Sequence, residues 1–151
     1  MMRTTILMVC LGNICRSPLA EGILSSMLDS DSYEVSSAGT GNWHVGDAPD
    51  PRSIEVARKN GIDISHQKGI HFSPYHFELY DYIFVMDTAN YRDVIKLAKN
   101  DAEKQKVQPI LDGLFVEENM DVPDPYFGGK QGFDNVYRML YQACEKIVSR
   151  I

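Results

Sequence analysis

Basic residues, cysteines and long apolar runs are all scarce in this chain of 151 residues, and each shortage closes off a class of function. Lysine and arginine number 15 against 21 acidic residues, a formal net charge of -6. That balance argues against general affinity for nucleic acid or for anionic membranes, so neither is expected as a partner. Only three cysteines are present. They are too few to staple a domain of this size and read as thiols in a reducing compartment, the cytoplasm. The apolar run near the N-terminus is too short for a secretory signal or a membrane span. Internal repeats and low-complexity linkers are missing as well, which leaves one domain over residues 1–151 as the expected organisation. A chain of this length buries ~68–70% of its unfolded surface on folding without staples.

What is present alternates between two patterns. The run "TTILMV" (4–9) suits a strand buried on both faces. Leu19, Ala20, Ile23, Leu24, Met27 and Leu28 then recur at helical spacing, with Ser17 placed as an N-cap and Pro18 as the first helical residue. "YEVSSAG" (33–39) and "YDYIFVM" (80–86) read as further strands, and "KVQPILDG" (106–113) as a short one in which Pro109 favours an edge. "RSIEVARKNGI" (52–62) reads as a helix closed by Gly61, and "TANYRDVIKLAKN" (88–100) as a helix capped by Asp87. The segment 132–151 carries an apolar stripe of Phe133, Val136, Tyr137, Leu140, Cys144, Ile147, Val148 and Ile151. Strand–helix alternation of this kind predicts an α/β fold: a parallel sheet with helices on both faces and ligands at the carboxyl ends of the strands.

The loop at the end of the first strand is "VCLGNICRSP" (9–18). A tight loop leading into a helix N-terminus gathers backbone N–H groups onto one point and makes a local anion site in an otherwise acidic protein. Cys10 stands at its mouth and Arg16 follows after five intervening residues. Amides, a helix N-terminus and a guanidinium all favour the thiolate of Cys10 over the thiol. Arg16 can give phosphoryl oxygens two parallel hydrogen bonds, which lysine cannot do with the same geometry. Gly12 permits close backbone approach, and Asn13 tolerates the left-handed conformation that a ring of amides requires. No Gly-Lys-Ser/Thr ends the loop, which excludes a nucleotide-binding P-loop.

With "DPYFG" (124–128), this segment resembles the low-molecular-weight protein tyrosine phosphatases, and the similarity extends through "SSAGTGNWHVGDAPDPR" (36–52) and "DYIFVMDTANYRD" (81–93). The resemblance implies a four-stranded parallel sheet and hydrolysis of phosphomonoesters without metal or other cofactor. It also implies a phosphocysteine intermediate, with tyrosine-phosphorylated proteins as substrates and inorganic phosphate or vanadate as competitors. The phosphate loop would then be Cys10, Leu11, Gly12, Asn13, Ile14, Cys15, Arg16 and Ser17. Asp124 matches the family's general acid, with Pro125 holding its backbone extended. The charge of the substrate dianion and the thiolate would keep Asp124 protonated until it is needed. Trp43, the only tryptophan, and Tyr126 match the aromatic rim of a deep cleft that admits phosphotyrosine and holds shorter phosphoserine away from Cys10. Asn13, Ser17, Ser37 and His66 match residues that buttress the loop. Phe127, also in the cleft, departs from the tyrosine that many relatives carry and phosphorylate.

Other readings compete on single features. Arginine phosphatases of this kind tend to carry threonine where Ile14 stands, so Ile14 favours an aryl ester. Related arsenate reductases need two further cysteines after the third strand, and the span 81–110 has none. A phosphate carrier without hydrolysis would have no use for Asp124 beside an aromatic cleft. His66, His71 and His76 recur at a spacing of five that neither a helix nor a strand face collects, so no metal site is expected. Cys144 falls on the apolar helical stripe and belongs to the core. Cys15 lies close enough to Cys10 in sequence for a curled loop to bring the two within disulfide range. The resemblance supports a role for Cys15 as a resolving thiol after peroxide oxidation of Cys10, against the simpler role of filling space under the loop.

Overall fold

A computed structural model describes residues 2–113, 121–123, 125 and 129–151 of the chain. Four strands, β1 (Thr4–Cys10), β2 (Tyr33–Gly39), β3 (Tyr82–Val85) and β4 (Val107–Pro109), form one sheet in the order β2-β1-β3-β4. Every pairing is parallel; Ile6 lies opposite Val35 on one side and Tyr82 on the other. β4 is an edge strand, which is where a proline such as Pro109 can sit without costing the ladder a donor.

Side chains of β1 alternate between two buried cores, which explains the continuous apolar run. Ile6, Met8 and Cys10 face one core, which they share with α1 (Arg16–Met27), α2 (Pro51–Lys59) and α6 (Gly129–Arg150). Leu7 and Val9 face the other, among Ala38, Ile83, Val85, Val107, Phe77 of α3 (His76–Leu79) and Val94 of α4 (Thr88–Lys96). On α6, Phe133, Val136, Leu140, Cys144 and Ile147 are buried as the stripe requires. Burial in this apolar layer pushes the Cys144 thiol up to about 12, which makes it inert. Among the described residues, no helix is long and apolar enough to cross a membrane.

Helix ends follow local chemistry with some corrections. At the end of α2, the Gly61 and Ile62 amides donate to the Arg58 and Ala57 carbonyls at 3.0 and 2.9 Å, with Gly61 at φ +80°. This is the glycine-terminated arrangement expected for that sequence, although the helix itself ends at Lys59. Asp87 caps α4 by accepting from the Asn90 amide at 2.8 Å. The segment 88–100 is not one helix: α4 stops at Lys96, and Asn100 caps a separate α5 (Asp101–Gln105) through the Glu103 amide. α1 begins at Arg16, with Cys15 in the cap position, so Ser17 is not the N-cap and Pro18 is the third helical residue. Pro18 is tolerated there because the first four amides of a helix have no intrahelical partner. The hydroxyl of Ser17 is thereby released from capping and turns toward the site.

Candidate active site

The turn between the end of β1 and the start of α1 is held in shape from behind. Asn13 adopts φ 57°, the left-handed conformation its short polar side chain permits. Carbonyl groups of the loop are drawn outward by amides of the following connection. Cys10 accepts from Thr40 at 2.9 Å, Leu11 from Gly41 at 2.8 Å and Ile14 from Asp50 at 2.8 Å. With carbonyls turned away, the inner side of the turn presents amide character at the positive end of α1. Gly39, at the end of β2, permits this packing. A Cβ there would lie 2.8 Å from the Leu11 carbonyl oxygen and 3.1 Å from the Asn13 backbone nitrogen. Gly12 is less constrained, since a Cβ there would meet only the His44 and Ile14 side chains at 3.4 and 3.7 Å.

A directed hydrogen-bond chain runs from the thiol to the outside of the loop. Cys10 Sγ lies 3.3 Å from the Asn13 amide, which donates to it, and 3.0 Å from Ser17 Oγ. Asn13 Oδ1 accepts from the Ile70 amide at 2.9 Å, which fixes which end of the side-chain amide is oxygen. Its Nδ2 therefore donates to Ser17 Oγ at 2.7 Å and to Ser37 Oγ at 2.9 Å. Each serine oxygen, having accepted from Asn13, directs its own proton elsewhere. Ser37 donates to Glu21 Oε1 at 2.7 Å, and Ser17 can donate to Cys10 Sγ at 3.0 Å or to the more distant Ala38 carbonyl at 3.5 Å. Asn13, Ser17 and Ser37 are all buried, so these bonds are shielded from competing water.

Arg16 is 4% exposed, and its Nη1 donates to Asp87 Oδ2 at 2.6 Å and to the Val122 carbonyl at 3.0 Å. Asp87 thus serves two elements at once, capping α4 with one oxygen and fixing the guanidinium with the other. A buried arginine needs such a partner, because an unpaired charge at that depth is strongly destabilising. Cys10 and Cys15 are both buried and form no disulfide, and Cys15 belongs to the core beneath the loop. Trp43 is 68% exposed, and its ring lies over Gly41, where a Cβ would come within 1.9 Å of Cζ3. The tryptophan therefore projects from the connection that holds the loop and does not enter the core.

His66 stands apart from the buttress. It is exposed and, among the described residues, joins no hydrogen bond of the chain; it acts on Glu21 through charge alone. Burial raises the Glu21 carboxyl above its ordinary value, while the Ser37 hydroxyl and the charge of His66 oppose that shift. Asp124, Tyr126 and Phe127 lie outside the described residues. Three contributors escaped the sequence reading: Glu21, the second role of Asp87, and Gly39. Glu21 carried a usable signal, being an acidic residue one turn after Ser17 on the helix face that the apolar spacing assigns to the interior. Asp87 was legible only as a cap, since its second partner is 71 residues away.

The comparisons agree with this geometry. The family model described as "Low molecular weight phosphotyrosine protein phosphatase" matches residues 5–151. A protein of that name from Schizosaccharomyces pombe is 39% identical, covering 97% of this chain and 96% of its own. Among solved structures, a protein tyrosine phosphatase from Entamoeba histolytica with Hepes in its active site superposes with a TM-score of 0.91 at 34% identity. It covers 97% of this chain and 96% of its own. Vibrio vulnificus Wzb in complex with benzylphosphonate gives a TM-score of 0.87 at 28% identity, with 98% and 99% covered. A turn whose carbonyls are drawn outward, with a buried cysteine at its base, thus stands in a chain that belongs to the low molecular weight protein tyrosine phosphatase family.

Proposed function

We propose that the chain hydrolyses phosphotyrosine in proteins, and small aryl phosphates, by way of a phosphocysteine on Cys10. The observation that carries this reading is the setting of Cys10 Sγ, between the Asn13 amide and the Ser17 hydroxyl at the N-terminus of α1. Both groups can donate to a thiolate, and with Asn13 donating to Ser17 Oγ, the Ser17 proton has Cys10 Sγ at 3.0 Å as a nearer acceptor than the Ala38 carbonyl at 3.5 Å. The thiolate attacks phosphorus, the S–P bond forms, and the ester P–O bond breaks with its electron pair passing to the phenolic oxygen. Asp124 supplies the proton that this oxygen takes up. Water then attacks phosphorus and gives a proton to Asp124, and the S–P bond breaks to return the thiolate and inorganic phosphate. Arg16 and the loop amides hold the equatorial oxygens as charge redistributes over them.

Substrate choice follows from the rim. Trp43 is exposed beside the loop, where a phenyl ring could stack on it, and Ile14 adds an apolar wall. The benzylphosphonate bound by Wzb has the same arrangement of an aryl group one atom removed from phosphorus. Phosphate and vanadate would compete for the loop. Cys15 is suited to trap an oxidised Cys10 as a disulfide, being a cysteine in the same turn that is not disulfide-bonded. Turnover of an aryl phosphate tests the reaction: a hydrolase releases phenol continuously, whereas a carrier gives at most one equivalent. Cys10→Ser should abolish turnover yet still bind vanadate, and activity within a few fold of the unaltered protein would remove Cys10 from the mechanism.

A further inference from the structure

The residues just before Asp124 are tied to the rest of the site by four bonds, three of which involve no residue of the phosphate loop. The Val122 amide donates to the Met86 carbonyl at 2.7 Å, and the Val122 carbonyl accepts from Arg16 Nη1 at 3.0 Å. One residue earlier, Asp121 Oδ1 accepts from both the amide and the hydroxyl of Thr88, each at 2.9 Å. Thr88 is the first residue of α4, so two carboxylates serve that helix end: Asp87 at the Asn90 amide and Asp121 at the Thr88 amide. On the far side of Asp124, Pro125 is buried, and its backbone lies against Gly132 of α6, where a Cβ would stand 3.8 Å from the Pro125 carbonyl oxygen.

We infer that Asp121 is a positioning residue for Asp124, holding the chain that carries the acid against the N-terminus of α4. This rests on the reading of Asp124 as the general acid. Asp121 itself is exposed and takes no part in proton transfer. Its contribution is to fix residues 121–123 at the N-terminus of α4, while Pro125 is held against α6. A proton donor must reach the leaving oxygen within a few tenths of an ångström, and a misplacement of ~1 Å can cost about a hundredfold in rate. Arg16 belongs to the same arrangement, since the guanidinium that serves the phosphate also holds the Val122 carbonyl. The phosphate loop and the acid segment are therefore registered on one another through a single side chain.

The test compares Asp121→Ala with Asp121→Asn on two substrates, using kcat/KM, which reports steps up to phosphoryl transfer. Phenyl phosphate needs protonation of its leaving group; dinitrophenyl phosphate does not. Asp121→Ala should lose roughly tenfold on phenyl phosphate and less than twofold on dinitrophenyl phosphate, a fraction of the ~10²–10⁴ that a general acid is worth. Asp121→Asn keeps an oxygen that can accept both Thr88 bonds and should stay within about twofold of the unaltered protein on both substrates. A merely structural effect would lower both substrates alike and would overturn the inference, as would an alanine variant with no loss on either. Asp124→Ala, measured beside them, separates the two readings. If its loss is equal on both substrates, the acid assignment itself fails. If its loss depends on the leaving group while Asp121→Ala has no such dependence, only the positioning role fails.

Discussion

Replacing Asn13 by alanine removes two buried bonds and one part-buried bond, and forces an unsuitable residue to hold φ 57°. The three bonds do not weigh equally. Ser17 keeps Cys10 as a neighbour and Ser37 keeps Glu21, so losing the Asn13 donor costs each the ordinary net worth of a hydrogen bond, ~0.5–1.5 kcal/mol. The Ile70 amide loses Asn13 Oδ1 as its acceptor, but that bond is only part-buried and Ile70 is exposed, so water can reach the amide and the cost stays near the low end of ~1–3 kcal/mol. The left-handed conformation adds roughly 1–2 kcal/mol for alanine and nothing for glycine. Allowing for water entering the vacated space, Asn13→Ala should lose about 3–5 kcal/mol, a large share of the ~5–15 kcal/mol typical of a domain. Asn13→Gly should recover about 1 kcal/mol of that loss, because only the backbone contribution is relieved. Urea unfolding followed by tryptophan fluorescence measures both variants, with the midpoints compared at constant slope. Equal stability of the glycine and alanine variants would refute the backbone argument. Losses below about 1 kcal/mol for both would refute the hydrogen-bond argument as well.

Further expectations concern the neighbours of that network. Gly39→Ala should push the Leu11 carbonyl away from a new Cβ, losing about 1–3 kcal/mol of stability and weakening vanadate inhibition; unchanged inhibition would mean that the loop absorbs the displacement without opening. Glu21→Gln keeps an oxygen for the Ser37 hydroxyl while removing a carboxylate whose ionisation burial opposes. Because the folded value lies above the ordinary 4.5, the cost of that charge is absent at pH below 4.5 and complete at pH above the raised folded value. The variant should therefore equal the parent near pH 4 and match or exceed its stability at pH 7, and a loss confined to neutral pH would contradict this. After peroxide treatment and reduction by a dithiol, the unaltered protein should recover most activity and Cys15→Ser should not. Equal recovery, with no Cys10–Cys15 bridge found by peptide mass, would leave Cys15 as packing beneath the loop.

What the sequence made legible was whatever depends on neighbours along the chain. β2 is found at the expected residues, and the end of α2 at Gly61 and the cap at Asp87 are local effects whose donors and acceptors lie within five residues. The left-handed turn at Asn13 was legible for the same reason. Ser17 was legible in two ways: serine before proline looks like a cap, which the start of α1 at Arg16 overturns, while the resemblance matched it to a support of the loop, and its hydroxyl lies 3.0 Å from Cys10 Sγ. The pairings of Arg16 with Asp87 and of Ser37 with Glu21 were invisible because they join separate elements. His66 was assigned by resemblance to a buttress of which, among the described residues, it forms no hydrogen-bonded part.

The connection that grips the loop carbonyls through Thr40, Gly41 and Asp50 has a thermodynamic consequence for ligands. Because these amides belong to the fold, the ordering of the anion site is complete before any phosphate arrives. Binding should then release little heat attributable to rearrangement and should leave the exchange rates of those three amides nearly unchanged. Affinity instead becomes a measure of how often the connection is in place. If a remote substitution lets residues 39–50 detach for half of the time, the observed Kd for phosphate doubles although no atom touching the anion has changed. Phosphate in excess would restore the connection by mass action, so such a lesion would be recognised by ligand-dependent protection of the Thr40, Gly41 and Asp50 amides.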